Sequence, residues 1–271
     1  MRQRNRPREK VTRLGNGSLS LMLAMVLLPL LEDTFNILTP MKLLELSDPG
    51  TPLMMKLLQK APGTFTHSLQ VGTLADAATE RIGANALLAR SGGYYYDIGN
   101  MEHLAYFIEN QIAQFNPHET LSPALSAEAI KRHVENGLKI GRAWSLPQEI
   151  LDILAQHHGS TRIEYFYNEA LEEAADGAEV NEATIRYSSG LPRGKAAGIV
   201  MLADSIEASV KTLPTPIPGR IEDVVAGTLK KKLDDGQFAA CELTMREIHE
   251  VGEAIREALI GFLGRRIEYP P

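Results

Sequence analysis

Seven histidines and one cysteine set the range of chemistry open to this 271-residue chain. Cys241 stands alone, so neither a disulfide framework nor a thiolate zinc site can be built, and a reducing compartment is the natural setting. A transition-metal site must then rest on imidazole and carboxylate. His67, His133, His157 and His158 fall on or at the ends of segments with helical apolar spacing. His103 and His118 lie in an irregular stretch, 99–120, and read as solvated loop residues, while His249 sits on a charged helix face. Any one of the first four is an ordinary structural histidine. Four of them, together with Asp97 in Tyr-Asp-Ile-Gly, shift the balance towards a metal site. His157 and His158 are neighbours, and neighbours on a helix point about 100° apart. Such a pair suits two metals, or one metal and one substrate group, better than joint chelation of a single ion. Asp204 lies in an Ala-rich apolar helix, where an unpaired carboxylate is costly to bury. A metal explains it, as does a salt bridge or a surface position.

The elements that must carry these residues read as helices throughout, so the fold class is all-α. Apolar positions recur at helical spacing over 51–61 and again over 66–83, where Gly83 closes the helix. Asn85 caps a helix over 86–96. Ser122-Pro123 opens one that runs to about 142, and Pro147 opens another that ends at Gly159. Residues 161–175 are helical, 176–193 form a polar loop, and 194–211 form the Ala-rich helix. LPTPIPG (213–219) is the clearest break. Helices over 220–234 and 242–265 follow, joined by DDGQF. Trp144 reads as core, and core packing suits Tyr94 and Tyr95 better than a base-stacking platform. Arg193 and Lys195 could help neutralise a phosphate.

Charge and the N-terminus bound the partners. Lys plus Arg is 28 against 34 for Asp plus Glu, a formal charge of −6. No nucleic-acid polymer is expected, since such binders need a basic face. Apolar residues make up 44% and charged residues 23%, ordinary for a globular protein. Residues 1–13 carry six Lys/Arg against one Glu, and 14–31 are 18 residues without a charge. A membrane span needs roughly 20 apolar residues. The run is borderline: a span, a helix lying on a membrane or packed on the domain, and a signal peptide all fit the layout. No small-x-small cleavage site follows it.

Several longer segments carry a resemblance. THSLQVGTLADAA (66–78), YYDIGNM (95–101), FIENQ (107–111), KRHVENG (131–137), LPQEILDILAQHHG (146–159) and MLADSIEA (201–208) together resemble an HD-domain phosphohydrolase. More narrowly, the chain is similar to the cytoplasmic domain of the seven-transmembrane HD family, which hydrolyses cyclic di-AMP. LLPLLEDTFNILTPMKLLELSDPG (27–50) resembles that family's last membrane helix and linker, and DDGQFAACELTMREI (234–248) with RRIEYP (265–270) resembles its C-terminal helices. The likeness spans about 15–271. It implies an HD-like helical bundle with four parts: a basic tail at 1–17, an apolar helix and linker at 18–47, the metal phosphohydrolase domain at 48–211, and a helical extension at 212–271.

Carried over residue by residue, the resemblance implies that His67, Asp97, His133, His157, His158 and Asp204 hold two metal ions, iron or manganese by the donor set. Asp97 would be the bridging carboxylate, and Asp97 and His133 are the residues assigned to catalysis. Two such ions clamp the attacking and leaving oxygens of a phosphodiester and make water acidic enough to attack at neutral pH. Two positions depart from the pattern. Tyr96 stands where the family has its HD histidine, and Asn100 stands where it has a lysine. A neutral phenol is a poor ligand, although a ferric ion could deprotonate it. The ring is also large enough to take the metal's place. Asn100 removes a positive charge near the substrate phosphate. Reduced turnover on a cyclic dinucleotide is expected. The alternatives are a non-catalytic sensor of the nucleotide and a phosphohydrolase of another nucleotide. The basic tail favours the cytoplasmic side, so one span at 14–31 would place the domain outside. The chain is therefore expected to be a fragment or truncated paralogue, membrane-associated through 14–31 or through upstream helices, with its domain in the cytoplasm.

Overall fold

The computed structural model describes residues 6–35, 37–111, 116–174 and 179–262, in two compact units, 1–42 and 43–271. In the first, α1 (Arg6–Phe35) is a single long helix. It is the one helix among the described residues long and apolar enough to cross a membrane, over Gly15–Glu32. Leu21, Met22, Leu23 and Val26 on it are all more than half exposed, so burial within the chain does not account for its apolar character. Helix α2 (Pro40–Leu46) runs across the boundary between the units.

The second unit is all-α. Its helices are α3 (Pro52–Lys60), α4 (Pro62–Arg81), α5 (Ala86–Tyr95), α6 (Pro123–Ala143), α7 (Gln148–Gln156), α8 (Glu164–Glu173), α9 (Lys195–Lys211), α10 (Pro218–Asp234) and α11 (Met245–Phe262). Among the described residues the one β interaction is an isolated bridge between Arg162 and Arg186. The stretch between α5 and α6 is a chain of short 3₁₀ turns, the irregular segment the sequence implied.

Helices α4 and α9 form the centre, with α5, α7, α10 and α11 around them. Val71, Leu74, Ala75 and Ala78 of α4 pack with Ile199, Val200, Met201, Leu202, Ala203 and Ile206 of α9, all essentially inaccessible. Helix α9 is buried on nearly every side, as a central helix is, while α4 buries a broad face that mixes apolar and polar residues. Local chemistry sets the boundaries where the sequence placed them. The Asn85 side chain accepts from the Leu88 amide, and Gly83 follows α4 with φ of +66°. Ser122 makes no side-chain cap, so Pro123 alone marks the start of α6.

Two expectations are corrected. Trp144 is 40% exposed, because it is the C-cap of α6 and lies past the helix's buried stripe. The last helix begins at Met245 and not at 242, because Thr244 and Glu247 form a capping box just there. Glu247 accepts from the Thr244 amide and hydroxyl at 2.8 and 2.9 Å, and the Glu247 amide donates to the Thr244 hydroxyl at 3.2 Å. Lys195 pairs with the same carboxylate, which ties the start of α9 to α11. Thr244→Ala should therefore lower stability by about 1 kcal/mol, a fall of roughly 2–4 °C in melting temperature for a unit of this size, read by thermal denaturation.

Candidate metal centre

Five segments converge on one polar cluster. Helix α4 brings His67 and the end of α5 brings Tyr96. The turn after α5 supplies Asp97, α6 supplies His133, the end of α7 supplies His157 and His158, and α9 supplies Asp204. His67, Tyr96, Asp97, His133, His157 and Asp204 are all buried.

Backbone geometry places them. Gly99 presses on α6 so closely that a Cβ there would lie 1.9 Å from the His133 carbonyl oxygen. Glycine is thus what lets Asp97 and His133 share a site. Gly159 has φ of +55° and turns the chain straight after the histidine pair. That turn is clamped from the C-terminal extension. The buried Gln237 accepts from the Ser160 amide at 3.0 Å and donates to the Ser160 hydroxyl at 3.0 Å.

One half of the cluster gathers Asp97, His133, His157 and His158, whose ligand atoms all lie within 4.8 Å of one another. His133 donates through Nδ1 to the Ile130 carbonyl at 2.7 Å, and His157 does so to the Leu154 carbonyl at 2.6 Å. A carbonyl only accepts, so both protons sit on Nδ1 and both Nε2 atoms carry bare lone pairs. Those two Nε2 atoms face each other at 3.3 Å, with Asp97 Oδ1 at 3.4 Å from His133 and 3.8 Å from His157. Burial first, then the neighbouring imidazole, holds His157 down at about 3. Burial likewise lowers His133 and His158. Burial and then the Asp204 charge push the Asp97 carboxyl well above the usual range. Three imidazoles, two of them with bare Nε2 atoms, and one carboxyl converge here with no cation to face. That is the donor chemistry of a metal site, and the carbonyl-anchored Nδ1 protons are the outer contacts that orient ligating histidines. The residues fit a metal ion.

His157 and His158 both offer a ligand atom to this set. Their rings lie 3.9 Å apart, and His158 stacks on Tyr187 at 4.1 Å.

The other half is arranged differently. Tyr96 Oη lies 2.7 Å from His67 Nε2 and 2.9 Å from Asp204 Oδ1, and those two atoms are 3.1 Å apart. His67 Nδ1 faces Glu207 Oε2 at 2.8 Å, and Glu207 Oε1 meets Lys211 at 2.5 Å. Burial alone would lower His67, but the carboxylates of Asp204 and Glu207 outweigh it and lift it to about 10. Asp204 also resists burial, held below the carboxylate range by His67. Burial, then Asp204 and Asp97, push the Tyr96 phenol well above its ordinary value, so it keeps its proton.

The remaining candidates lie elsewhere. Asn100 is buried, and its Nδ2 donates to Glu109 Oε1 at 3.2 Å. His103 and His249 are exposed, as expected for residues outside the site. His118 is half-buried and bonds the Tyr106 carbonyl through Nε2 at 3.0 Å, so it is not a solvated loop residue. Lys195 is taken by Glu247. Glu207 and Lys232 were not singled out in the sequence. Glu207 stands three residues after Asp204, on the same helical face, a spacing that could have found it. Lys232 is 7% exposed and donates to Thr161 Oγ1 at 3.0 Å.

Fold and site together define an HD domain: that family's model matches residues 64–209, and the chain belongs to it. The chain is 43% identical over 255 residues to the cyclic-di-AMP phosphodiesterase PgpH of Bacillus subtilis (strain 168), covering 94% of this chain and 35% of that protein. It is 41% identical over 249 residues to the PgpH of Listeria monocytogenes, covering 92% and 34%. The chain thus spans about a third of the length of these curated relatives. The crystal structure of the L. monocytogenes PgpH HD domain in complex with cyclic-di-AMP matches with a TM-score of 0.75 and 41% identity, covering 81% of this chain and all of that one.

The close approach at Gly99 gives a direct check. Gly99→Ala should cost about 1–3 kcal/mol through overpacking against α6. It should also weaken metal binding by shifting Asp97 off His133. Urea denaturation and a manganese titration read the two effects.

Proposed function

We propose that this chain is a metal-dependent phosphodiesterase that hydrolyses a cyclic dinucleotide, with cyclic di-AMP as substrate. The observation that carries the reading is the set of facing lone pairs at Asp97, His133, His157 and His158, in a domain 41% identical to one solved with that nucleotide. These four residues would hold an iron or manganese ion, the metals such a donor set favours. When bound, the ion would supply a Lewis acid that stabilises charge on the phosphoryl oxygens and increases the acidity of a water. Asp97 and His133 are the residues that would orient the attacking water. The family resemblance implies a second ion at His67 and Asp204.

Substrate charge needs further partners. Asn100 supplies none. Lys232 is the cation we assign to the phosphate. It lines a pocket of about 560 Å³ with Thr161, Ser205, Ser209 and Thr228. Arg162 and Arg186 line the same pocket but are paired with Glu164, Glu182 and Asp235. Lys232 has three donors and gives one to Thr161. Burial pushes it down to about 8 despite the charges of Asp204 and Asp235.

A second reading, a sensor that binds the nucleotide and does not cleave it, is favoured by the phenol of Tyr96 between His67 and Asp204. For the membrane we propose that α1 attaches the chain, with the domain on the cytoplasmic side. Its unburied apolar window supports the attachment.

The assay is hydrolysis of cyclic di-AMP by the manganese- or iron-loaded chain, with a chelator control and other nucleotides alongside. Linear product that disappears with chelator is expected. Binding without product would favour the sensor, and turnover of another nucleotide alone would overturn the substrate. Lys232→Met should weaken cyclic di-AMP binding roughly tenfold, about 1.4 kcal/mol, by calorimetry. Because the lysine is charged below about 8, wild-type affinity should fall as pH rises through that value, and the variant should lose that dependence.

A further inference from the structure

We propose that this centre is mononuclear: the phenol of Tyr96 closes the position at His67 and Asp204, and the chain carries one metal ion, at Asp97, His133, His157 and His158. The inference deepens the phosphodiesterase reading and rests on its claim that this last set binds metal.

The two halves of the cluster differ in whether the protein satisfies them. At His133 and His157, two Nε2 lone pairs face each other at 3.3 Å, and neither ring carries a proton there. At His67 the phenol and the Asp204 carboxylate already occupy the space in front of Nε2, while Nδ1 is opposed by Glu207 through charge and not through a hydrogen bond. The phenol donates to Asp204 at 2.9 Å and sits 2.7 Å from His67 Nε2. The other ring nitrogen faces Glu207 at 2.8 Å, and Glu207 also faces Lys211. Ligation would require His67 Nε2 to turn its single lone pair on an ion at roughly 2.0–2.1 Å, where it now has an oxygen at hydrogen-bond distance. A neutral imidazole has just one such nitrogen free when the other is engaged.

The phenol is also not a group that can swing aside. Tyr96 is 1% exposed and belongs to the main apolar core. Its ring stands edge-on to His157 with centroids 4.8 Å apart. Displacing it would open a ring-sized void in a close-packed interior. The residues at this half therefore do not fit the second ion that the family resemblance implies.

The consequence for function is a separation of binding from turnover. One ion and Lys232 can still hold a phosphate. Charge on the opposite side of the phosphoryl group is met by a phenol and not by a second cation, so turnover should be slower than in the histidine-bearing arrangement.

Manganese loading tests this on the whole chain, with metal counted by mass spectrometry and its surroundings read by electron paramagnetic resonance. The wild type should bind one ion per chain with the spectrum of an isolated Mn(II). Tyr96→His should bind two, give an exchange-coupled spectrum and hydrolyse cyclic di-AMP at least tenfold faster. Tyr96→Phe, which keeps the ring, should stay at one. Two ions in the wild type, or a coupled spectrum there, would overturn the inference and leave the phosphodiesterase reading standing. No ion in wild type and variants alike would overturn the metal reading itself. If Tyr96→His fails to fold, the wild-type and Tyr96→Phe counts decide.

Discussion

Two imidazole nitrogens with no proton between them are the interaction on which the rest of this structure turns. His133 and His157 each commit their Nδ1 proton to a backbone carbonyl, at 2.7 and 2.6 Å, so their Nε2 lone pairs meet at 3.3 Å. Buried acceptors in opposition are unfavourable unless a cation lies between them. The fold nonetheless holds them there. Gly99 presses the Asp97 turn onto α6, and Gln237 pins the turn after His158. Helices α4 and α9 anchor the whole through an apolar interface that leaves little freedom to relax. Arrangements that store an unsatisfied interaction belong to functional sites, where the surrounding packing over-determines them.

The opposite half of the cluster shows what the protein does when no ion is needed. His67, Tyr96, Asp204, Glu207 and Lys211 alternate donor and acceptor, and each buried charge has an opposite charge beside it. Buried ion pairs are tolerated when the remaining lone pairs are hydrogen-bonded; Asp204 Oδ1 meets that condition through Tyr96 and His67, while His67 Nδ1 and Glu207 Oε2 are opposed by charge alone. A single substitution, phenol for imidazole, separates the two halves. It removes a ligand, and it also inserts a donor of the right reach to satisfy the acceptors left behind.

Much of the frame was legible because it depends on local chemistry. Asn85, Gly83, Pro123 and Gly159 each act on the backbone next to them, so the helix boundaries they mark could be read from residue type. The gathering of Asp97, His133, His157 and His158 was legible through the motifs that carry the family resemblance and not through spacing, since they sit on three separate segments. Spacing misled at Trp144, past the end of the α6 stripe. Glu207 was within reach, three residues from Asp204. Lys232 and Gln237 were not, because their contacts to Thr161 and Ser160 span more than seventy residues and exist only once α10 and its following turn pack on the His-His segment. The role of Tyr96 was legible as a departure. That its oxygen completes a network with His67 and Asp204 needed the distances.

The most direct measurement is a crystal structure of the manganese-loaded chain with anomalous difference maps at the metal edge. The account requires one peak, enclosed by Asp97, His133, His157 and His158, with the Tyr96 oxygen still between His67 and Asp204. A second peak ligated by His67 and Asp204, or no peak among the four, would contradict it.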